Sequence, residues 1–357
     1  MSPKERQKML IDVFAPQKNE KVLILVDVPR ESIPDNQKWS ERRQMAHEWE
    51  EAFHNISQEN DLNLTVDRLE FPSVGRSNYL LPEDIIETAK QYHLVLSMSE
   101  YSYSVPLKAI IQSPDNISRI ASMPQIEKRM EETAISADYA KVKLYATTLK
   151  QLLDQSIGAQ ITFSTNDQLY LDLRWRQIAI ADDGDYTTTG SFGNFPAGEG
   201  FMTPYEGTES EKAQYGPSQT KGVMPFNFDG QIVKFIIEAN QIVKIEGDEP
   251  KASELNQYFT ADPTRRNIAE LGLGCNPQAE ITGNILEDEK AGLHIAYGTS
   301  SHFGGQVTSD THHDLVFASG CPIEGTTVDL IQPDGSQIRV IDHSQMQYVL
   351  LEKMTTK

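Results

Sequence analysis

The chain has 357 residues, enough for one large domain or two medium ones, and needs no disulfide or structural metal merely to bury a core. Its net charge of −20 argues against nucleic acid as a partner, because phosphates demand a basic footprint. No apolar run reaches the length of a membrane span, and the start "MSPKERQKMLIDVF" lacks the apolar core and cleavage site of a secretory signal, so a cytoplasmic protein without a membrane partner is expected. The two cysteines, Cys275 and Cys321, then read as reduced thiols.

In chain order, "KVLILVD" (21–27) is a continuous aliphatic run, the mark of a strand buried on both faces. "WSERRQMAHEWEEAFHNI" follows as a helix with Ser40 as its expected cap and Met45, Trp49 and Phe53 at helical spacing. "LTVDRLEF" alternates as a strand, and "LPEDIIETAKQY" is a helix with Pro82 near its start. "HLVLSMS" is a strand, "VPLKAIIQ" a short helix and "SRIASM" a strand. "PQIEKRMEETA" and "SADYAKVKLYATTLKQLLDQ" are expected to close this section as helices. Such alternation implies an α/β layer with a mostly parallel sheet over residues 1–157. The first strand runs into "LVDVPRESIP", with no G-x-G-x-x-G, so a dinucleotide site is not expected.

From Gly158 the pattern changes to short alternating strands in "AQITFSTNDQLYLDLRW" and "RQIAIADDG". Asp229-Gly230, Ala239-Asn240 and Asp334-Gly335 punctuate further strands as hairpin turns, and "PKASELNQYFT" is a lone helix. A second, β-rich α+β domain over 158–357 is expected, and it is the one expected to bind metal. It holds 13 Lys and Arg against 28 Asp and Glu, so most of the negative charge lies here.

Four of the eight histidines fall between Gly283 and Leu315. In an extended His312-His313-Asp314, the first and third side chains share a face and offer a nitrogen and a carboxylate to one cation, while His313 points away. His294, in the strand-like "AGLHIAYG", can add a second imidazole; His302, in a Ser- and Gly-rich loop, is a weaker candidate. Glu270 interrupts the apolar "NIAELGLG", where a buried carboxylate needs a cation, a metal or a firm hydrogen-bond partner; Arg265 or Arg266 is the plain alternative. Glu199 stands in the Pro- and Gly-bordered "GNFPAGEGFMTP", a context that equally suits an exposed turn, and any two acids of "LEDEKAG" can simply face water.

Taken in order, "PAGEGFMTPYEG", "NIAELGLGCNP", "TGNILEDEKAGLHIAYG" and "HHDL" resemble the aminopeptidase T / aminopeptidase S family of metallo-aminopeptidases, and its shorter prokaryotic members most closely. The resemblance implies a two-ion site of zinc, cobalt or manganese held by Glu199, Glu270, His294, His312 and Asp314, with Glu270 bridging. It implies Glu289 as the general base, a short peptide or other small molecule as substrate, and a homodimer. Ser301, with His302 beside it, stands where larger members carry a tyrosine.

His294, His312 and Asp314 also meet the two-histidine, one-carboxylate formula of mononuclear iron(II) oxygenases, and the related 2,5-dihydroxypyridine dioxygenases look similar over this region. They have His at the position of Glu270 and lack the D-E-x4-His arrangement, so the sequence favours hydrolysis with a ring-cleaving dioxygenase as the alternative. A metallohydrolase acting on another small molecule at the same site is a third reading.

Overall fold

The structure is a computed structural model describing residues 1–77, 79–176 and 178–354. Its chain forms two compact units, one of residues 1–143 with 184–197 and one of residues 144–183 with 198–357. The sequence pattern changes at Gly158, whereas the long helix before it, Tyr139–Gln155, belongs to the second unit from Leu144 onward.

The first unit is built on a fully parallel sheet. Its strands are β1 (Lys21–Val28), β2 (Thr65–Pro72), β3 (Leu94–Ser99) and β4 (Arg119–Pro124), joined by a later strand, Phe192–Asn194, in the order β2-β1-β3-β4 and then the late strand. All six residues of β3 and six of the eight of β1 are buried, which is why these two strands read as unbroken apolar runs, whereas the edge strand β2 alternates. The helix expected from Ser40 starts earlier and spans Gln37–Glu59, because Asn36 caps it by accepting the Trp39 N–H at 3.2 Å.

One expectation fails in this unit, and one helix goes beyond the expected elements. "PQIEKRMEETA" forms only short 3-10 turns, Lys128–Glu131 and Ala134–Ser136. The buried Glu131 carboxylate accepts from Arg6 Nε at 2.8 Å and from Trp49 Nε1 at 2.8 Å, so this segment is pinned by tertiary contacts rather than by helical ones. The N-terminal stretch, read only for targeting, is a helix, Pro3–Phe14, with a Ser2–Glu5 capping box.

The second unit carries two antiparallel sheets. In chain order its strands begin with β5 (Gly158–Phe163), β6 (Gln168–Asp172) and β7 (Ile180–Asp182); the late strand above is β8. Gln177, inside the stretch expected as a strand, lies outside the described residues. Next come β9 (Glu199–Met202), β10 (Lys221–Phe228), β11 (Gln231–Glu238), β12 (Gln241–Gly247) and β13 (Ile268–Gly274). The last are β14 (Leu293–Gly298), β15 (His312–Val316), β16 (Gly325–Ile331), β17 (Gln337–Asp342) and β18 (Gln345–Met346). The larger sheet runs β12-β11-β10-β6-β5-β16-β17-β18 and the smaller β15-β14-β13-β9-β7.

The expected hairpins form at Asp229-Gly230, with φ of 50° and 91°, and at Ala239-Asn240, with 48° and 66°. Both residues of each turn are left-handed, as a tight two-residue turn that follows the strand twist requires. One apolar core contains residues of both sheets, among them Ile161, Phe235, Leu271, Ile295 and Leu315, together with Leu149 and Leu153 of the long helix. The fold is thus a mostly parallel α/β layer followed by a β-rich antiparallel part that houses the candidate metal ligands.

Candidate metal centre

The smaller sheet has two chemically different faces, and the alternation of side chains along a strand explains both. On β13, Leu271 and Leu273 enter the core, and on β14, Leu293, Ile295 and Tyr297 do. The opposite face carries Glu270 and Gly272 on β13, His294 on β14, and His312 and Asp314 on β15. Glu199 on β9 and Asp182 on β7 are paired across the ladder and extend this polar face. Glu199, the ambiguous acid of the sequence, is therefore a buried strand residue and not an exposed turn.

Glu270 stands at the centre. Its Oε1 lies 3.2 Å from His294 Nε2 and its Oε2 lies 3.2 Å from His312 Nε2. Neither neighbouring arginine is its partner: Arg265 pairs with Asp310, and Arg266 donates to the Ile242 carbonyl at 2.6 Å. Two groups of converging donors result, Glu199–Glu270–His294 and Glu270–His312–Asp314, with one Glu270 residue common to both. Among the described residues, no group of three donors contains both His294 and His312.

Hydrogen bonding leaves the first group incomplete. His294 Nε2 is 3.2 Å from Glu199 Oε2 as well as from Glu270 Oε1, but a ring nitrogen has only one proton to give. The hydrogen bond goes to Glu270, and Glu199 Oε2 stays buried without a donor. Tetrahedral ligands about 2.0–2.1 Å from a zinc-sized ion lie about 3.3 Å apart, so a cation fits this spacing of donors and satisfies all of them. The ion would be held by Glu199, Glu270 and His294, and a second by Glu270, His312 and Asp314.

Supporting contacts orient these ligands. His312 Nδ1 donates to the Thr299 carbonyl at 2.8 Å, which fixes the ring so that Nε2 points at Glu270 and Asp314. Burial opposes a charged imidazole, but the carboxylates of Glu199 and Glu270 around His294, and of Asp314 and Glu270 around His312, hold both rings well above the usual histidine range. Burial likewise works against an ionised Asp314, yet His312 beside it holds its carboxyl well below the ordinary value.

Glycine makes room for the ring. A Cβ on Gly272, the ladder partner of His294, would lie inside the His294 imidazole. The "ELGLG" motif therefore supplies both a ligand and the gap over which the facing histidine lies.

A cation of the protein's own sits beside the first group. Lys290 is fully buried, with Nζ at 2.6 Å from Glu199 Oε1, 2.9 Å from Glu289 Oε1 and 3.0 Å from Asp182 Oδ2. Burial, reinforced by nearby carboxylates, still pushes Glu289 up to about 8 and Asp182 up to about 7. Lys290 takes Oε1 of Glu199, so Oε2 is the oxygen left for an ion.

Sequence reasoning named Glu199, Glu270, Glu289, His294, His312 and Asp314; all but Glu289 fall in the two donor groups, and Glu289 faces Lys290 next to them. His313 points away, its ring 5.2 Å from that of Tyr297. His302 lies in a short turn, Ser301–Phe303, with its ring 5.2 Å from His312, and Ser301 is exposed. Asp288 is occupied elsewhere, accepting the Thr282 and Gly283 N–H groups at 2.8 and 2.9 Å. Lys290, Asp182 and Gly272 were missed. Alternation in "AIADDG" was the available signal for Asp182, whereas Lys290 follows the short helix Ile285–Asp288 in a turn with no periodic pattern.

No family profile and no curated protein sequence matches the chain. Among solved structures, that of 2,5-dihydroxypyridine dioxygenase from Pseudomonas putida KT2440 is similar at a TM-score of 0.66 and 16% identity, over 97% of this chain and 98% of that one. Wild-type AmpT from Thermus thermophilus is similar at a TM-score of 0.59 and 14% identity, with the same coverage of each chain. The chain shares the fold of both. At these identities the likeness concerns the fold, and it joins the two groups of proteins that the motifs resemble.

Proposed function

We propose that the chain is a metal-dependent enzyme acting on a small molecule, with Glu270 shared between two divalent ions and hydrolysis as its reaction. The observation that carries this is the division of the Glu270 carboxylate, one oxygen toward each histidine-containing donor group. Each group combines one imidazole with two carboxylates, a set suited to zinc, cobalt or manganese. Two ions bound there supply Lewis-acid polarisation of a carbonyl and an activated water.

The chain's own residues do the rest. Glu289 keeps one oxygen on Lys290 beside the first donor group and serves as the group that takes and returns the proton. The carboxylates around the site suit a substrate with an ammonium group, which agrees with the aminopeptidase reading of the motifs, the free N-terminus of a short peptide.

A second reading is favoured by the stronger fold likeness to the dioxygenase. A mononuclear iron(II) centre at His312 and Asp314 would use the second donor group, in which Glu270 takes the place of another histidine. Amino-acid amides and dipeptides assayed with zinc, cobalt and manganese test hydrolysis; 2,5-dihydroxypyridine with iron(II) and oxygen tests ring cleavage. Turnover of the first panel with any of the three metals supports the proposal. Oxygen uptake with the pyridine, and no turnover of any amide or dipeptide, would transfer the assignment to the oxygenase.

A further inference from the structure

Asp314 belongs to the second donor group and is also a wall of a separate cavity of about 210 Å³ in the second unit. The cavity's other walls are mostly apolar: Phe226, Ile285, Val316, Pro322 and Ile323. Val316 lies two residues beyond Asp314 on β15, so it continues the strand face that carries His312 and Asp314. Ile285, 39% exposed, forms part of the cavity's mouth. Asp288 also borders the cavity, but its carboxylate is taken up by backbone N–H groups of the 282–283 turn, so it does not make this wall a free anion.

Size decides what fits. Whole small-molecule ligands occupy pockets of about 300–1,000 Å³, whereas an apolar cavity of about 150 Å³ accepts benzene. The volume here matches one branched aliphatic or aromatic group, not an entire ligand.

Resting on the metal-centre reading above, we propose that this cavity receives an apolar group of the substrate while the substrate's polar part meets the donors of Glu270, His312 and Asp314. The pocket selects for an uncharged branched or aromatic substituent next to the reacting bond. Val316 and Ile323 are then specificity-determining residues.

Metal-loaded protein titrated with two chelating probes, acetohydroxamate and 4-methylpentanohydroxamate, tests this without any assumption about the reaction. Burial of apolar surface gains about fourfold in affinity per methylene, so the branched probe is expected to bind at least tenfold tighter. In Val316→Trp, and independently in Cys321→Trp on the loop that also borders the cavity, the ratio of the two affinities should collapse toward one. Equal affinities in the unmodified protein, or a ratio that survives both substitutions, would overturn the pocket while leaving the metal centre standing. Failure of acetohydroxamate to bind with zinc, manganese or iron(II) would overturn the metal-centre reading, and the pocket assignment with it.

Discussion

Gly272 is the residue whose role is least visible in its chemistry and most visible in its surroundings. Any side chain there collides with the His294 ring, so Gly272→Ala should displace that ligand. Metal affinity is expected to fall about tenfold or more while the fold persists, as for other losses of ligand orientation; competition with a chromophoric chelator beside circular dichroism checks it. His312→Ala should remove a ligand and lose metal, whereas His313→Ala, on the other face, should keep it.

Protons compete for the same nitrogens. In the metal-free protein His294 and His312 are raised above the unfolded value of 6.5 by their carboxylate neighbours, which overcome the cost of burial. Their ion pairs therefore stabilise the metal-free fold at pH below that value, and this contribution is lost as pH rises through the raised folded values. Binding metal displaces those protons, so the gain in Tm on adding zinc should be small near pH 6 and larger near pH 8. A gain that does not change with pH would argue against imidazole ligation.

At the scale of elements, the site depends on five short strands presenting one face, and much of that was legible. Apolar runs gave the strands, Glu270 stood out because it interrupted one, and H-x-D followed from alternation alone. What stayed hidden has a physical reason. Glu199 could be assigned to a buried strand only once Asp182 and Gly274 were known to flank it in the ladder, a long-range pairing that no local pattern encodes. The segment after β4 has helical composition, but tertiary bonds from Arg6 and Trp49 to Glu131 override that preference.

Lys290 links three of these elements, binding Asp182 at the end of β7, Glu199 on β9 and Glu289 after the short helix. Lys290→Met would leave three buried carboxylates without their cation. Removing one member of a buried ion pair typically costs about 3–5 kcal/mol, and a loss of this order in urea unfolding at pH 8 is expected. Because protonating the carboxyls relieves their repulsion, the deficit should shrink at pH 5. An unchanged unfolding midpoint at pH 8 would mean that Lys290 does not hold the site together.

At the scale of the whole molecule, the half that carries most of the acidic excess also carries both donor groups. Among the described residues no helix is long and apolar enough to cross a membrane. A homodimer is implied by the motif resemblance, and sedimentation at micromolar concentration should give twice the monomer mass of 40.1 kDa. A monomer under those conditions would remove that expectation without touching the site.

Everything proposed for the reaction depends on Glu270 serving two ions. The most direct measurement is the metal content of the purified protein, reconstituted with zinc, manganese or iron(II), beside that of Glu270→Ala. Two-ion chemistry predicts about two ions per chain in the unmodified protein and the loss of both in the variant, since each donor group loses a shared ligand. A single tightly held iron that remains bound after Glu270→Ala would contradict the account.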